Sequence, residues 1–287
     1  MFQVSIIIVN YNTFEYTYNC IASIIQKTKR ITFEIIVVDN ASENFDSTNL
    51  KKLSSNIKVI MNPSNIGFAK ANNIGIKESS GEVIVLLNND TYLINDAISL
   101  TYSGLVGDPE IGVAGCKLLN EDQSWQRSFF DFPTISYQFK TLLRIKKKGI
   151  NVNKKQSVPW ITGAFLMFKK DCLKHFPKQK LHDDFFMYCE DIQWGFNFRK
   201  NGLKTYYLPA GEIVHYHGKS SSYDSDFNKK LKFYYPNLMK LLKIEHGYLY
   251  AKTYFFLLVV IFLTDFRHNS RSKVIPLLRI LFNIKKI

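Results

Sequence analysis

Cysteine is scarce in this chain: Cys20, Cys116, Cys172 and Cys189 lie far apart, with no CxxC spacing. That excludes a thiolate zinc cluster and argues against a disulfide scaffold, leaving buried, reduced thiols as in a cytosolic protein. No GxGxxG follows the first apolar run, which excludes a dehydrogenase-type dinucleotide site. The same place reads VNYNTFEY, without the glycine or basic residue that a triphosphate-gripping nucleotidyltransferase loop carries. The amino terminus, MFQVSIIIVNYN, lacks a basic region, and its apolar run is too short for a signal peptide. Internal repeats and low-complexity segments are missing as well. Acids are the minority charge, 24 against 38 Lys and Arg, for a net +14. From Lys229 onward the balance is 12 basic to 2 acidic residues, which leaves only +4 for everything before it. In that tail the charges flank an apolar segment, YFFLLVVIFLT at 254–264, a pattern that fits anionic lipid better than nucleic acid.

With 287 residues and 46% hydrophobic content, the chain has room for one large domain and an appendage. Residues 4–9 are apolar and mostly β-branched, as in a strand buried on both faces of a parallel sheet. A helix should follow, with Asn12 and Glu15 placed as a capping box and Ile21, Ile24, Ile25 and Thr28 at helical spacing. EIIVVDNAS at 34–42, IKVIMN at 57–62 and residues 82–87 read as further strands, and a turn and helix occupy 65–75. The β-α-β-α-β alternation predicts a doubly wound α/β sheet with helices on both faces. GVAGCKLL at 112–119 and WITGAFLMFKKD at 160–171 read as one strand each. Residues 124–158, rich in aromatic and basic side chains, show no clear period.

Three strands end in polar residues: Asn10, Tyr11 and Asn12; Asp39; and Asn88, Asn89 and Asp90. In a parallel array these ends share one crevice, where open α/β sheets bind ligands. Capping accounts for each ending alone, but three together point to a site. A single carboxylate there suits Mg2+ or Mn2+ carrying a diphosphate, because phosphate oxygens supply most of the ligands. His215 and His217 fall on one face of a strand, with no third His or Cys to complete a zinc site. Glu190 and Asp191 open a helix expected over 190–200, where the helix dipole favours anions.

The VVDNAS, NxGFaxAnN, NND, ED and HxxGxS patterns together resemble the family-2 glycosyltransferases, GT-A-fold enzymes with nucleotide-sugar donors. The likeness spans about residues 4–222. It implies that Asp39 recognises the base or ribose of the donor. Asn65, Gly67 and Asn72 would line the donor site, since Gly and Asn accept unusual backbone angles and leave amides to face phosphate. Asp90 matches the last acid of the metal-binding DxD motif, with Asn88 where the first acid would stand, one negative charge fewer. His215, Gly218 and Ser220 match HxxGxS, so His215 is the expected further metal ligand and His217 a packing residue. The base in such enzymes is an acid of the ED pair, assigned here to Asp191 with Glu190 in a positioning role. Gln193 stands where many relatives carry another acid, Asp183 and Asp184 are alternatives for acceptor binding, and Trp194 reads as core or acceptor wall.

The resemblance therefore implies a GT-A type, doubly wound mixed sheet over 1–228 and a helical, basic, membrane-associating region over 229–287. The implied reaction is inverting, metal-dependent transfer of a sugar, with rhamnose first in view, from a dTDP- or UDP-sugar to a hydroxyl of a polyprenyl-diphosphate-linked glycan. Its place would be the cytoplasmic face of a bacterial membrane. The segment 248–264, 17 residues with Lys252 inside it, is marginal as a span, so helices lying on the surface are expected. A non-catalytic adaptor retaining the fold is the alternative, since Asn88 and Gln193 both replace acids.

Overall fold

The computed structural model describes residues 2–145, 149–216, 230–264 and 274–282. His217, Gly218 and Ser220, and the expected boundary at 228/229, lie outside those residues. The chain divides into two compact units: Met1–Phe130, Asn151–Phe186 and Glu190–Ser222 form the first, and Asp131–Ile150, Met187–Cys189 and Tyr223–Ile287 the second.

The first unit is built on a mixed sheet. Strands β1 (Val4–Asn10), β2 (Phe33–Asp39), β3 (Ile57–Met61) and β4 (Val83–Asn88) are parallel, in the order β3-β2-β1-β4. Their apolar runs are continuous because both faces are covered, and Ile6, Ile7 and Ile8 are all fully buried. Between them run α1 (Phe14–Lys27), α2 (Ser47–Leu53) and α3 (Phe68–Lys77). Next come β5 (Thr91–Leu93), α4 (Ala97–Val106), β6 (Ile111–Leu119), β7 (Trp125–Gln126) and β8 (Phe129–Phe130). After the second unit's α5 (Ile135–Leu142) follow β9 (Gln156–Val158), β10 (Trp160–Ile161), β11 (Phe165–Lys169), α6 (Glu190–Lys200) and β12 (Lys204–His215). The sheet continues past β4 as β11-β6-β12-β5, with β11 antiparallel to both of its neighbours. It is thus mixed, as expected of the GT-A type.

Two local expectations are overturned. Asn12 does not cap α1: Thr13 holds the cap position, and Asn12 sits at φ 55° with its side-chain oxygen accepting from the Glu43 amide at 3.0 Å. A side chain recruited by a neighbouring loop is lost to its own helix. The run from Trp160 is two strands, not one; β10 pairs with β8, β11 pairs with β4 and β6, and Thr162–Gly163–Ala164 turns between them. The segment without a clear period divides among β7, β8, α5 and β9, pieces too short to carry a pattern. All four cysteines are buried thiols outside any disulfide, and burial pushes the Cys20 thiol up to about 12, so it is inert at neutral pH.

The described part of the second unit is helical: α5, α7 (Tyr235–His246), α8 (Tyr248–Thr264) and α9 (Val274–Phe282). Thr134 caps α5 by accepting from the Tyr137 amide at 3.1 Å. Gly247, at φ 92°, makes the turn between α7 and α8. Leu238, Leu241 and Leu242 of α7, Tyr254 and Phe255 of α8, and Leu277 and Leu281 of α9 are buried. Among the described residues no helix is long and apolar enough to cross a membrane.

The packing of α3 on the sheet rests on Gly75, where an added Cβ would lie 2.5 Å from Ile7 Cγ2 and 3.3 Å from Val38 Cγ2. Alanine gains about 1 kcal/mol of helix propensity, but overpacking a core typically costs about 1–3 kcal/mol. Ile7 and Val38 are fully buried and have no room to retreat, so the clash wins. Gly75→Ala should lower the urea midpoint, with an unchanged slope.

Candidate active site

The carboxyl ends of β1, β2 and β4 are tied by side chains that the register brings level, Asn10 beside Asp39 and Val9 beside Asn88. Asn10 Nδ2 donates to Asp39 Oδ1 at 2.6 Å and to Ser42 Oγ at 3.0 Å. Asp39 also accepts from the Ser42 hydroxyl at 2.5 Å and the Ser42 amide at 2.8 Å. Asn10 and Asp39 are both fully buried. A carboxylate has about four acceptor positions, so these three bonds leave Asp39 one for a further donor. Asn89 Nδ2 donates to Thr13 and Thr17 at 2.7 and 2.9 Å, which ties the end of β4 to the start of α1. Tyr11 is exposed, and the Asn12 amide donates to Ser42 Oγ at 2.8 Å. Ser42, the partner shared by Asn10, Asn12 and Asp39, was not singled out in sequence; its only signal was its place in VVDNAS.

Asn65, Gly67 and Asn72 serve the loop and helix more than an open phosphate cradle. The Gly67 amide donates to Asn65 Oδ1 at 3.1 Å, and the Phe68 amide donates to the Phe186 carbonyl at 3.0 Å. Glycine is required at 67 on two counts: its φ is 89°, and an added Cβ would fall 2.4 Å from the Phe186 carbonyl oxygen. Asn72 is buried, its amide donating to the Phe68 carbonyl at 3.0 Å. The expectation that this turn leaves its amides free is corrected at 67 and 68.

Asp90 and His215 meet because β5 pairs antiparallel with the end of β12, setting Thr91 opposite His215. Asp90 is 1% exposed, and its Oδ1 lies 3.3 Å from His215 Nε2. Asn88 Nδ2 is 3.2 Å from the same nitrogen. Turning that amide over would present its carbonyl oxygen instead. On the far side of the ring, Nδ1 is 2.7 Å from Gln126 Oε1, while Gln126 Nε2 donates to the His215 carbonyl at 3.0 Å. An acceptor on Nδ1 puts the proton there and the lone pair on Nε2, the form in which a histidine ligates metal. Gln126 stands 89 residues away in the chain, and nothing in the sequence marks it.

Among the described residues no three or more His, Cys, Asp or Glu side chains converge as a ready metal cage. A carboxylate, an imidazole nitrogen and an amide oxygen nevertheless fit Mn2+ or Mg2+ where a diphosphate supplies the remaining oxygens.

Glu190 and Asp191 begin α6. Asp191 Oδ2 accepts from the Gly163 amide at 3.3 Å, and Oδ1 from the Ile192 amide at 2.9 Å. The neighbouring Ala164 carbonyl accepts from the Asn88 amide at 3.0 Å. The 162–164 turn therefore joins the base candidate to the metal-ligand candidates. Burial pushes Asp191 up, opposed by those two amides; its surface is partly open, but the protein packed around it withholds most hydration. Glu190 is pushed up further, first by burial and then by the Asp191 charge, and its buried Oε2 has no hydrogen-bond partner among the described residues. Gln193 donates to Asp184 at 2.8 Å, which holds that acid beside the first turn of α6. Asp183 pairs with Lys180 at 2.7 Å. Trp194 is fully buried, stacked on Phe68, and belongs to the core, not to an acceptor wall.

An acid whose folded-state pKa is raised binds its proton more tightly folded than unfolded. Below its ordinary value of 4.5 Glu190 therefore adds no penalty, and the penalty grows as the pH rises above it. Glu190→Gln should raise the melting temperature at pH 8, with the gain vanishing near pH 4, as read by differential scanning calorimetry.

The model of the family described as "Glycosyl transferase family 2" matches residues 5–176. The rhamnosyltransferase WbbL of Escherichia coli K12 is 25% identical over 218 residues, 70% of this chain and 80% of that protein. The chain spans 24% and 61% of the length of two further curated relatives. By structure, GalNAc-T7 crystallised with UDP, GalNAc and Mn2+ superposes with a TM-score of 0.62 at 15% identity, over 99% of this chain and 56% of that one. Staphylococcus aureus TarS in complex with UDP-GlcNAc gives 0.56 at 14% identity, over 99% and 73%. At such identities the two structures speak for the GT-A type fold alone. With the family match covering more than half of the chain, on a sheet whose strand ends gather acids and amides, the protein belongs to glycosyl transferase family 2.

Proposed function

We propose that the protein is an inverting glycosyltransferase using a nucleotide-sugar donor, with Asp191 as the base. The observation that carries this reading is the 162–164 turn, which holds Asp191 through Gly163 and the end of β4 through Ala164. Asp191 would take the proton of an acceptor hydroxyl as that oxygen attacks the anomeric carbon. The bond from that carbon to the diphosphate oxygen breaks, and the sugar is delivered with inverted configuration. A carboxylate raised toward neutrality is a stronger base while still ionised at working pH. Glu190, raised further, keeps its proton and spares Asp191 a second charge. Asp90, His215 and the Asn88 amide oxygen would hold Mg2+ or Mn2+, which offsets charge on the departing diphosphate. Asp39, with Asn10, Tyr11 and Asn12, would face the nucleoside; in our reading Asn65, Gly67, Asn72 and Asn89 shape that pocket from beneath.

For the donor, likeness to a rhamnosyltransferase supports dTDP-rhamnose, and the UDP carried by the structural neighbours supports a UDP-sugar. For the acceptor we favour a polyprenyl-diphosphate-linked glycan at the cytoplasmic face of a bacterial membrane. Charge supports that location. The second unit carries 17 Lys and Arg against 5 acids, +12 of the chain's +14. On α8, Leu249, Phe256 and Leu263 are 78%, 58% and 51% exposed at spacings of seven, one helix face. On α9, Ile275 and Phe282 repeat that spacing, with Arg279 between them. Exposed apolar side chains among basic ones suit a surface of anionic lipid.

Release of nucleoside diphosphate from dTDP-rhamnose and UDP-GlcNAc, with polyprenyl-diphosphate-linked GlcNAc as acceptor and Mn2+ present, tests the chemistry. Asp191→Asn should lower turnover by roughly 10²–10⁴-fold while a Mn2+-dependent thermal shift with the donor persists. Asp90→Ala should abolish that shift. Wild-type turnover in Asp191→Asn would sink the base assignment, and no shift or turnover with any donor would favour the adaptor.

Co-sedimentation with vesicles tests the membrane reading. Binding should require phosphatidylglycerol, weaken with salt, and weaken further in Leu249→Ser/Phe256→Ser. Equal binding to neutral vesicles would refute the charge argument.

A further inference from the structure

The two residues before the catalytic pair, Tyr188 and Cys189, both lie in the left-handed region, at φ 67° and 75°. Neither is glycine, and non-glycine side chains rarely adopt that conformation singly, let alone twice in succession. Lys178 and Gln179, at φ 56° and 52° on an exposed segment, form a second such pair, so what sets the 188–189 turn apart is the donor that reaches it from another element. That donor comes from α7. Asn237 Nδ2 donates to the Met187 carbonyl at 2.8 Å and to the Tyr188 carbonyl at 3.2 Å. The buried Cys189 thiol faces the Tyr234 carbonyl, 3.6 Å away, at the residue preceding that helix. Met187–Cys189 accordingly belongs to the second compact unit, and the chain returns to the first at Glu190, the next residue.

We infer that Asn237 is a positioning residue for Glu190 and Asp191, acting through the backbone of the Tyr188–Cys189 turn. Its amide donates to two successive carbonyls leading into the turn, and α6 starts at the peptide after Cys189. The inference rests on the reading of Asp191 as the base. That reading needs only the carboxylate and its Gly163 and Ile192 amides; this one needs a residue 46 positions further along the chain.

Asn237→Asp is the sharpest test, because a carboxylate of the same shape accepts but does not donate. Two readouts are needed. Hydrogen exchange of the 187–192 amides, measured without substrate, should quicken at least about tenfold, the rate being set by local opening. Turnover in the nucleoside-diphosphate release assay should fall on the order of 10²-fold, the scale of a misplaced catalytic group, with the donor KM within twofold of wild type. Adding Tyr188→Gly to Asn237→Asp should recover part of the lost turnover, since glycine holds positive φ without the side-chain cost. A merely structural role for Asn237 would lower the melting temperature and yield no such rescue.

Unchanged exchange, unchanged turnover or absence of rescue each overturns the proposal. Asp191→Asn, assayed alongside, separates the two failures. If that variant is inactive while Asn237→Asp turns over normally, this inference alone is wrong. If Asp191→Asn keeps wild-type turnover, the base assignment is wrong and this inference falls with it.

Discussion

The site depends on the hydrogen bond between Asn10 and Asp39, 2.6 Å long and fully buried. Hydrogen bonds to a charged group gain about 1.5–3 kcal/mol, and a buried carboxylate left without donors costs more than that. Asn10 and the Ser42 amide and hydroxyl together hold Asp39. Through Asn10 Oδ1 the same lock reaches Thr17 of α1 at 2.7 Å, and through Asn89 it reaches the end of β4. Three strand ends and the start of one helix thus meet at a shared polar knot. A slip of one residue in any of those strands would turn an apolar side chain into the knot and a polar one into the core.

Beside that knot, two long-range pairings assemble the candidate site. The antiparallel contact of β5 with β12 delivers His215 to Asp90 across 125 positions of chain, and the turn between β10 and β11 delivers an amide to Asp191. The first is a backbone strand pairing and the second a backbone amide held in a turn, stiff supports for groups that must keep their spacing. The acids themselves are held at a cost: Glu190 and Asp191 are dehydrated neighbours at one helix start, and the left-handed turn before them is unfavourable in its own right. Desolvated acids beside a left-handed turn are a common mark of functional sites.

Much of this was legible from the chain. The buried strands show as β-branched runs, and α6 starts and stops where the acid pair and the basic Arg199 and Lys200 mark its two ends. Other features were misread for physical reasons. Asn12 has the chemistry of a helix cap, but a loop some 30 residues away offers its oxygen a better partner. Gly67 reads as freedom for a phosphate-facing amide, whereas the structure uses it so that the Phe186 backbone can approach. Ser42, Gln126 and Asn237 carry no local signal, because a polar side chain on a loop, a two-residue strand or a helix looks alike before its partner is known.

The sequence by itself determined the class of fold, the family and the side chains available at the strand ends, since apolar period, strand-end polarity and motif spacing are local properties. Tertiary structure alone decided which of those side chains meet. Whether His215 faces Asp90, whether Gln126 orients that ring, and whether Asn237 reaches the turn before the acid pair depend on contacts across 49 to 127 positions. Distances of that kind are set by sheet register and helix packing, which no stretch of residues encodes without its partners.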